Sequence, residues 1–266
     1  MIYVVPSLKA KEKLQSEGKA WAESQGFTYV LRHQRTIQDL MDEYGEDFLV
    51  YSSRGPQIDR PEGSHFFSLN MAELRIQNLR KGQRDHLLEA LMGRGSSKLP
   101  ITVLDCTCGF GADAAVASFG LPAGSRVDAL EVSPLLEAVT SWGFSHFVHK
   151  KDDVTAALRR ISLRRGDYRD YLLSDEGPVY DVLYFDPMFQ RPVEASCQFQ
   201  PVRAIMEHGG LTRDLIERAL QKARRRVVIK ERDFRQLCRD FPEAVLYGGK
   251  YSRIGYAVLE CDSWKK

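Results

Sequence analysis

Apolar positions recur along this chain with two periods, and the two alternate. Short apolar runs bounded by Gly, Pro or charge read as strands, and longer stretches with apolar residues three and four apart read as helices. Residues 2–5 predict a strand. A helix over 8–25 follows, with Ser7 as its cap and Gly26 as its stop. Strand 27–31, helix 37–44 and strand 48–51 complete a small α/β unit. Residues 52–63 are rich in Gly, Pro, Ser and charge and read as a connector. This pattern predicts a small α/β accessory domain at 1–64 and a larger domain at 65–266.

In the larger part, residues 65–69 predict a strand, and 71–92 a helical pattern that Gly82 breaks in two. A loop at 93–100 leads into a regular alternation. Strand 101–105 leads to helix 113–119, strand 126–131 to helix 134–148, and helix 153–160 to strand 161–166. Strand 179–186, helical stretches at 202–208 and 212–223, and strand 226–231 follow. Apolar runs at 244–247 and 255–261 flank a glycine-containing turn and read as a hairpin. Alternating β and α with a terminal antiparallel pair predicts an α/β, Rossmann-like fold. Its sheet is mostly parallel and seven-stranded, with one antiparallel strand at its end.

Composition narrows the class. The 266 residues are 43% hydrophobic and 28% charged, enough for a full core. Five scattered cysteines, without a C-x-x-C pair, suggest neither a disulfide framework nor a zinc site. Cys106 and Cys108 read as small packing residues, and the histidines have no ligand spacing. No metal is expected. Without a leader-like start or an apolar run of spanning length, the chain reads as cytoplasmic, with no membrane partner. The net charge of +2 excludes a global basic signature. Local clusters, such as Arg75, Arg80, Lys81 and Arg84, suit either phosphate contact or a solvated helix end.

The candidate chemistry begins where the first strand of the larger alternation ends. Asp105 to Asp113 form a strand, glycine turn and helix start, the unit that holds a nucleotide-like cofactor in doubly wound sheets. Gly109 and Gly111 let the backbone turn tightly and a ligand approach. A turn of this kind suits NAD, FAD or S-adenosylmethionine. Asp105 separates them: a carboxylate there repels a pyrophosphate, whereas Asp105 or Asp113 would orient the ammonium of a cationic sulfonium donor. Glu131 closes the next strand at the spacing of an acid that accepts ribose hydroxyls. Asp167 stands where an acid would accept the adenine amino group, with Asp152 and Asp153 as rivals, and Tyr168 would flank the ring. Asp186-Pro187-Met188-Phe189 ends the fourth strand at the carboxyl edge, where such sheets bind ligands. Lys230 ends the fifth strand and reads as a holder of substrate phosphate or as a surface lysine with a packed stem.

Asp-Pro-Met-Phe is similar to the Asp/Asn-Pro-Pro-Tyr/Phe motif of class I methyltransferases that act on exocyclic amines of nucleobases. The stretches Met71 to Arg84, Asp105 to Asp113, Tyr184 to Phe189 and Val227 to Glu231 together resemble the RsmJ (YhiQ) family of 16S ribosomal RNA guanine-N2 methyltransferases. The resemblance spans roughly 65–260. It implies S-adenosylmethionine as cofactor and ribosomal RNA or the small ribosomal subunit as partner. It puts Asp113, Glu131 and Asp186 at the cofactor or the transfer centre, and Asp167 and Tyr168 in the adenine-contacting segment. Ala112 and Val132 fall in the cofactor segment where the family usually has Arg.

The expected activity is transfer of a methyl group to an exocyclic amine, guanine N2 in 16S rRNA. Asp186, Pro187 and Phe189 are the expected catalytic residues. Asp105, Gly109, Gly111, Ala112, Asp113, Glu131, Val132, Asp167, Tyr168 and Asp186 would hold the cofactor, and Phe189, Lys230 and Arg84 the substrate. The alternatives are a methyltransferase acting on a protein amide or a small molecule, and a non-catalytic RNA-binding protein. A single basic surface from Arg75, Arg80, Arg84, Arg191 and Lys230 around Phe189 would favour RNA.

Overall fold

The computed structural model of the protein describes residues 1–93, 99–187, 210–248 and 254–261. Chain contacts divide these into two compact units. One holds residues 1–68 with Ser133–Phe147; the other holds Leu69–Val132 and the described residues from Val148 onward.

The first unit is built from β1 (Tyr3–Pro6), α1 (Glu12–Ser24), β2 (Thr28–Tyr29), α2 (Ile37–Tyr44), β3 (Phe48–Ser52), β4 (Gly55–Arg60) and β5 (Gly63–Phe66). Its sheet order is β2-β1-β3-β4-β5; β1 runs parallel to β2 and β3, and β3, β4 and β5 are antiparallel. Val5, Leu40, Phe48 and Val50 form a buried core. Thr36 and Asp39 close a capping box that starts α2. Ser7 does not cap α1: Ala10 N–H bonds Ser7 O in a turn, and the helix starts only at Glu12. The expected connector over 52–63 instead contains β4, between the end of β3 and the start of β5. Its polar residues satisfy one another while buried, Gln57 Nε2 donating to Asp59 Oδ1 at 2.8 Å and Arg60 Nη1 to Asp59 O at 2.8 Å. A stretch that looks like loop by composition therefore pairs as sheet.

In chain order the remaining elements are α3 (Asn70–Arg80), α4 (His86–Met92), β6 (Thr102–Asp105), α5 (Ala112–Gly120) and β7 (Arg126–Glu131). Then come α6 (Pro134–His146), which belongs to the first unit, α7 (Asp152–Leu158), β8 (Ile161–Arg165), α8 (Tyr168–Leu173), β9 (Val182–Phe185), α9 (Arg213–Lys222), β10 (Arg226–Glu231), α10 (Arg235–Asp240), β11 (Val245–Gly248) and β12 (Gly255–Glu260). Gly82, at φ +76°, separates α3 from α4, as its place in the helical pattern predicts. The short helices α8 and α10 are additions to the sequence reading. The helix expected over 202–208 lies outside the described residues.

The second sheet has seven strands in the order β11-β12-β10-β9-β6-β7-β8. Strands β8, β7, β6, β9 and β10 are parallel, and β12 is antiparallel to both β10 and β11. The reversed strand therefore lies one place inside the sheet rather than at its end, and β11 takes the edge. One face packs Leu104, Leu183, Phe185, Val227 and Ile229 against Tyr168 and Leu172 of α8 and Ile216 and Ala219 of α9. Because five strands run in parallel, their carboxyl ends share one edge of the sheet, where side chains of the loops converge.

Candidate functional site

The site is built on the carboxyl ends of β7, β6, β9 and β10. After β6 the chain turns through Gly109 (φ +54°) and Gly111 (φ +74°), and Gly111 caps α5. A Cβ on Gly109 would meet nothing nearer than Thr107 O at 3.9 Å, so the turn opens onto free space. Four contacts pin it to its neighbours. Cys106 N–H bonds Tyr184 O at 2.8 Å, Cys108 N–H bonds Leu130 O at 2.9 Å, and Gly109 N–H bonds Glu131 Oε2 at 2.8 Å. Asp186 N–H donates to Thr107 Oγ1 at 2.6 Å.

Behind this turn lies a chain of buried and half-buried charges. Asp85, the cap of α4, takes Arg75 Nε and Nη2 at 2.8 Å each. Arg75 Nη1 donates to Asp113 Oδ1 at 2.5 Å. Asp113 Oδ2 accepts Tyr184 Oη at 2.7 Å and Lys230 Nζ at 2.8 Å. Lys230 Nζ also donates to Asp186 Oδ2 at 2.6 Å. Parallel pairing explains the last contact: Ile229 is in register with Phe185, which brings Lys230 beside Asp186.

Burial works to raise the pKa of Asp113, but Lys230 and Arg75 overcome it and hold the carboxyl below its ordinary range. Asp186 lies on the other side of that balance. Burial and the Asp113 charge raise it to about 6 against the pull of Lys230. Burial pushes Asp105 well above the usual carboxylate range, with Thr107 N–H opposing. Burial works against a charged Lys230 too, yet Asp113 and Asp186 raise it further above its ordinary value.

The expected site residues distribute unevenly. Asp105, Gly109, Gly111, Ala112, Asp113, Glu131, Val132, Asp186 and Pro187 all lie along the carboxyl edge. Asp167 follows β8 at the same edge; its carboxylate caps α8 through Arg169 N–H at 2.8 Å and pairs with the Arg169 guanidinium at 2.7 Å. Tyr168 is buried in the core, edge-on to Phe185 at 5.4 Å. Lys230 points between two carboxylates rather than outward. Arg84 is not part of the cluster: its side chain is 86% exposed and pairs with Glu89. Arg80 pairs with Asp153, so Arg75, Arg80, Arg84 and Lys230 each meet a carboxylate. Phe189 and Arg191 lie outside the described residues.

Three contributors were not singled out as site residues by sequence. Arg75 stood within a basic cluster, Thr107 within the glycine-turn stretch and Tyr184 within the strand before Asp186. Each had a signal, but only the tertiary arrangement turns it into a contact. No helix among the described residues is long and apolar enough to cross a membrane.

Residues 63–255 match the family model described as "Putative SAM-dependent methyltransferase". The Bacillus subtilis protein YpiP is 28% identical over 230 residues, covering 86% of this chain and 88% of that protein. The ribosomal RNA small subunit methyltransferase J of Marinobacter nauticus is 28% identical over 193 residues, covering 71% of this chain and 66% of that enzyme. A SAM-dependent methyltransferase from Neisseria gonorrhoeae shares the fold at a TM-score of 0.63, with 16% identity over 98% of this chain and 96% of that one. The open glycine turn, the buried acids on its flanks and the sheet order fit a bound S-adenosylmethionine. The chain belongs to the S-adenosylmethionine-dependent methyltransferase family, as a class I enzyme similar to the ribosomal RNA small subunit methyltransferases J.

Proposed function

We propose that this enzyme methylates an exocyclic amine of a nucleobase, guanine N2 in the RNA of the small ribosomal subunit. The observation that carries the reading is the Asp186 N–H to Thr107 Oγ1 bond of 2.6 Å, which fixes the Asp-Pro corner against the cofactor turn. Likeness to the ribosomal RNA small subunit methyltransferases J supplies the substrate class.

S-adenosylmethionine, when bound, supplies a methyl group already activated on a sulfonium. The protein contributes position and charge. We assign the ribose hydroxyls to Glu131, the adenine amino group to Asp167, and the amino-acid tail to the region of Asp105 and Asp113. The backbone of Gly109 to Asp113, with Ala112, and the Val132 position line the same turn. A base amine is a poor nucleophile because its lone pair is delocalised into the ring. The Asp186 carboxylate and the Pro187 carbonyl accept its two hydrogens and return electron density to nitrogen. Asp186 then takes the proton the amine loses, a task suited to a carboxyl poised near neutrality. Phe189 is assigned stacking on the base, worth about 1–3 kcal/mol in comparable sites. The base must leave any helix to reach this corner. Holding donor and acceptor in line supplies most of the rate.

The test is nucleoside mass spectrometry of small-subunit rRNA from cells with and without the protein. Loss of one N2-methylguanosine in its absence is expected. Unchanged methylguanosine content would overturn the substrate assignment.

A further inference from the structure

We propose that Lys230 is a positioning residue for methyl transfer, its ammonium clamped between Asp113 on the cofactor side and Asp186 on the acceptor side so that the Asp186 carboxylate is held facing the substrate amine. The inference rests on the exocyclic-amine reading above and replaces the phosphate contact expected for Lys230.

The geometry leaves Lys230 little choice of role. Its side chain is 14% exposed, and Nζ lies 2.8 Å from Asp113 Oδ2 and 2.6 Å from Asp186 Oδ2. An ammonium has three hydrogens to donate, and two of them are directed at carboxylates from different elements, α5 and the end of β9. The clamp is itself anchored. Asp113 is held on its other oxygen by Arg75, and Arg75 by the Asp85 cap of α4. Four elements therefore fix the direction in which Asp186 faces, and a phosphate would have to share an ammonium already committed to two carboxylates.

The clamp also sets the charge of the acceptor corner. Asp186 meets Lys230 and Glu231 of β10 and Asp113 of α5. Among the described residues, Asp105 of β6, Tyr184 of β9 and Tyr256 of β12 also lie nearby, with Arg75 of α3 and Asp85 of α4 behind them. Among these, Lys230 is the cation in direct contact with Asp186. A nearby positive charge favours the ionised carboxylate, and the ionised form is the one that accepts amine hydrogens. Removing the ammonium leaves Asp186 beside Asp113 with burial unopposed, so Asp186 protonates at higher pH.

The experiment measures methyl transfer from labelled S-adenosylmethionine to protein-free 16S rRNA from cells lacking the enzyme, across pH 5 to 9. The full-length wild type is compared with K230Q, K230M and K230R. K230Q and K230M are expected to lose at least about tenfold in kcat, with KM for RNA unchanged and the acid limb of the pH profile moved to higher pH. K230R, which keeps the charge, is expected to regain most of the rate and the original limb. The double variant K230Q/D186N should be no slower than D186N, because Lys230 acts through Asp186. A K230Q enzyme with the wild-type pH limb overturns the inference, as does a rise in KM for RNA at unchanged kcat, the signature of a phosphate grip. If K230M fails to fold, K230Q and K230R still give the comparison. A wild type that transfers no methyl to this RNA or to small subunits from the same cells instead overturns the substrate reading, which separates the two failures.

Discussion

Asp186 and Thr107 stand 79 positions apart in sequence, yet the backbone N–H of the first donates to the side-chain hydroxyl of the second at 2.6 Å. This bond ties the Asp-Pro corner after β9 to the glycine turn after β6, so the proposed acceptor and donor positions share one frame. Thr107→Val keeps the shape and removes the acceptor. A half-buried N–H left unpaired costs about 1–3 kcal/mol. The expected result is a fall in kcat of about tenfold with donor affinity retained, since small misplacements are costly where rate depends on alignment. Kinetics and calorimetry on the same preparation check it, and an unchanged kcat would mean the corner is held by other contacts.

Asp186→Ala should abolish methyl transfer while the protein still folds and still binds S-adenosylmethionine. The pH profile gives an independent readout. In the role proposed for it Asp186 acts ionised, and its pKa is raised to about 6, first by burial and then by Asp113. The kcat/KM should therefore climb as pH rises through about 6 and flatten above it, since that ratio reports the groups of the free enzyme. A profile flat from pH 5 to 8 contradicts the role given to this carboxylate.

Much of this arrangement is legible in the chain. The apolar alternation gives the seven-stranded sheet, and the positions of Asp105, Gly109, Gly111, Glu131 and Asp186 at strand ends place them on one edge. What the chain conceals is pairing. The buried polar residues Gln57, Asp59 and Arg60 make β4 look like a linker, because their partners, one another together with Ser52 and the Glu46 carbonyl, are not visible in the pattern. Lys230 looks like a surface lysine, because Asp113, 117 positions away, is invisible from its neighbours. Tyr168 looks like a ring-stacking candidate by position, but its side chain belongs to the core under Phe185. Periodicity reports which face an element buries; it does not report which buried polar group meets which.

The first unit offers a test of packing alone. A Cβ on Gly143 of α6 would fall 1.9 Å from Phe67 Cγ, and Phe67 is itself held edge-on by Phe144 at 5.6 Å and Phe147 at 5.5 Å. The aromatic ring has no room to retreat. Gly143→Ala should destabilise the protein by about 1–3 kcal/mol, the usual cost of overpacking a core. Thermal melting should show the loss. Affinity for S-adenosylmethionine should stay at the wild-type value below the melting range, since Gly143 makes none of the contacts described at the carboxyl edge.

Glu131 separates cofactor binding from the architecture of the turn. Its Oε2 accepts Gly109 N–H at 2.8 Å, so the same carboxylate assigned to the ribose also holds the glycine turn. Glu131→Gln keeps the length and one acceptor oxygen but removes the charge. Hydrogen bonds to a charged group are worth about 1.5–3 kcal/mol, so the dissociation constant for S-adenosylmethionine should rise about tenfold or more. Glu131→Ala also leaves the Gly109 N–H without that acceptor, and should weaken the donor further and lower the melting temperature. S-adenosylhomocysteine carries the same ribose but no sulfonium charge. Its affinity should fall by the same factor as that of the methyl donor in both variants. A loss confined to the donor would move Glu131 from the ribose to the sulfonium, and unchanged affinity for both ligands would remove it from the cofactor site altogether.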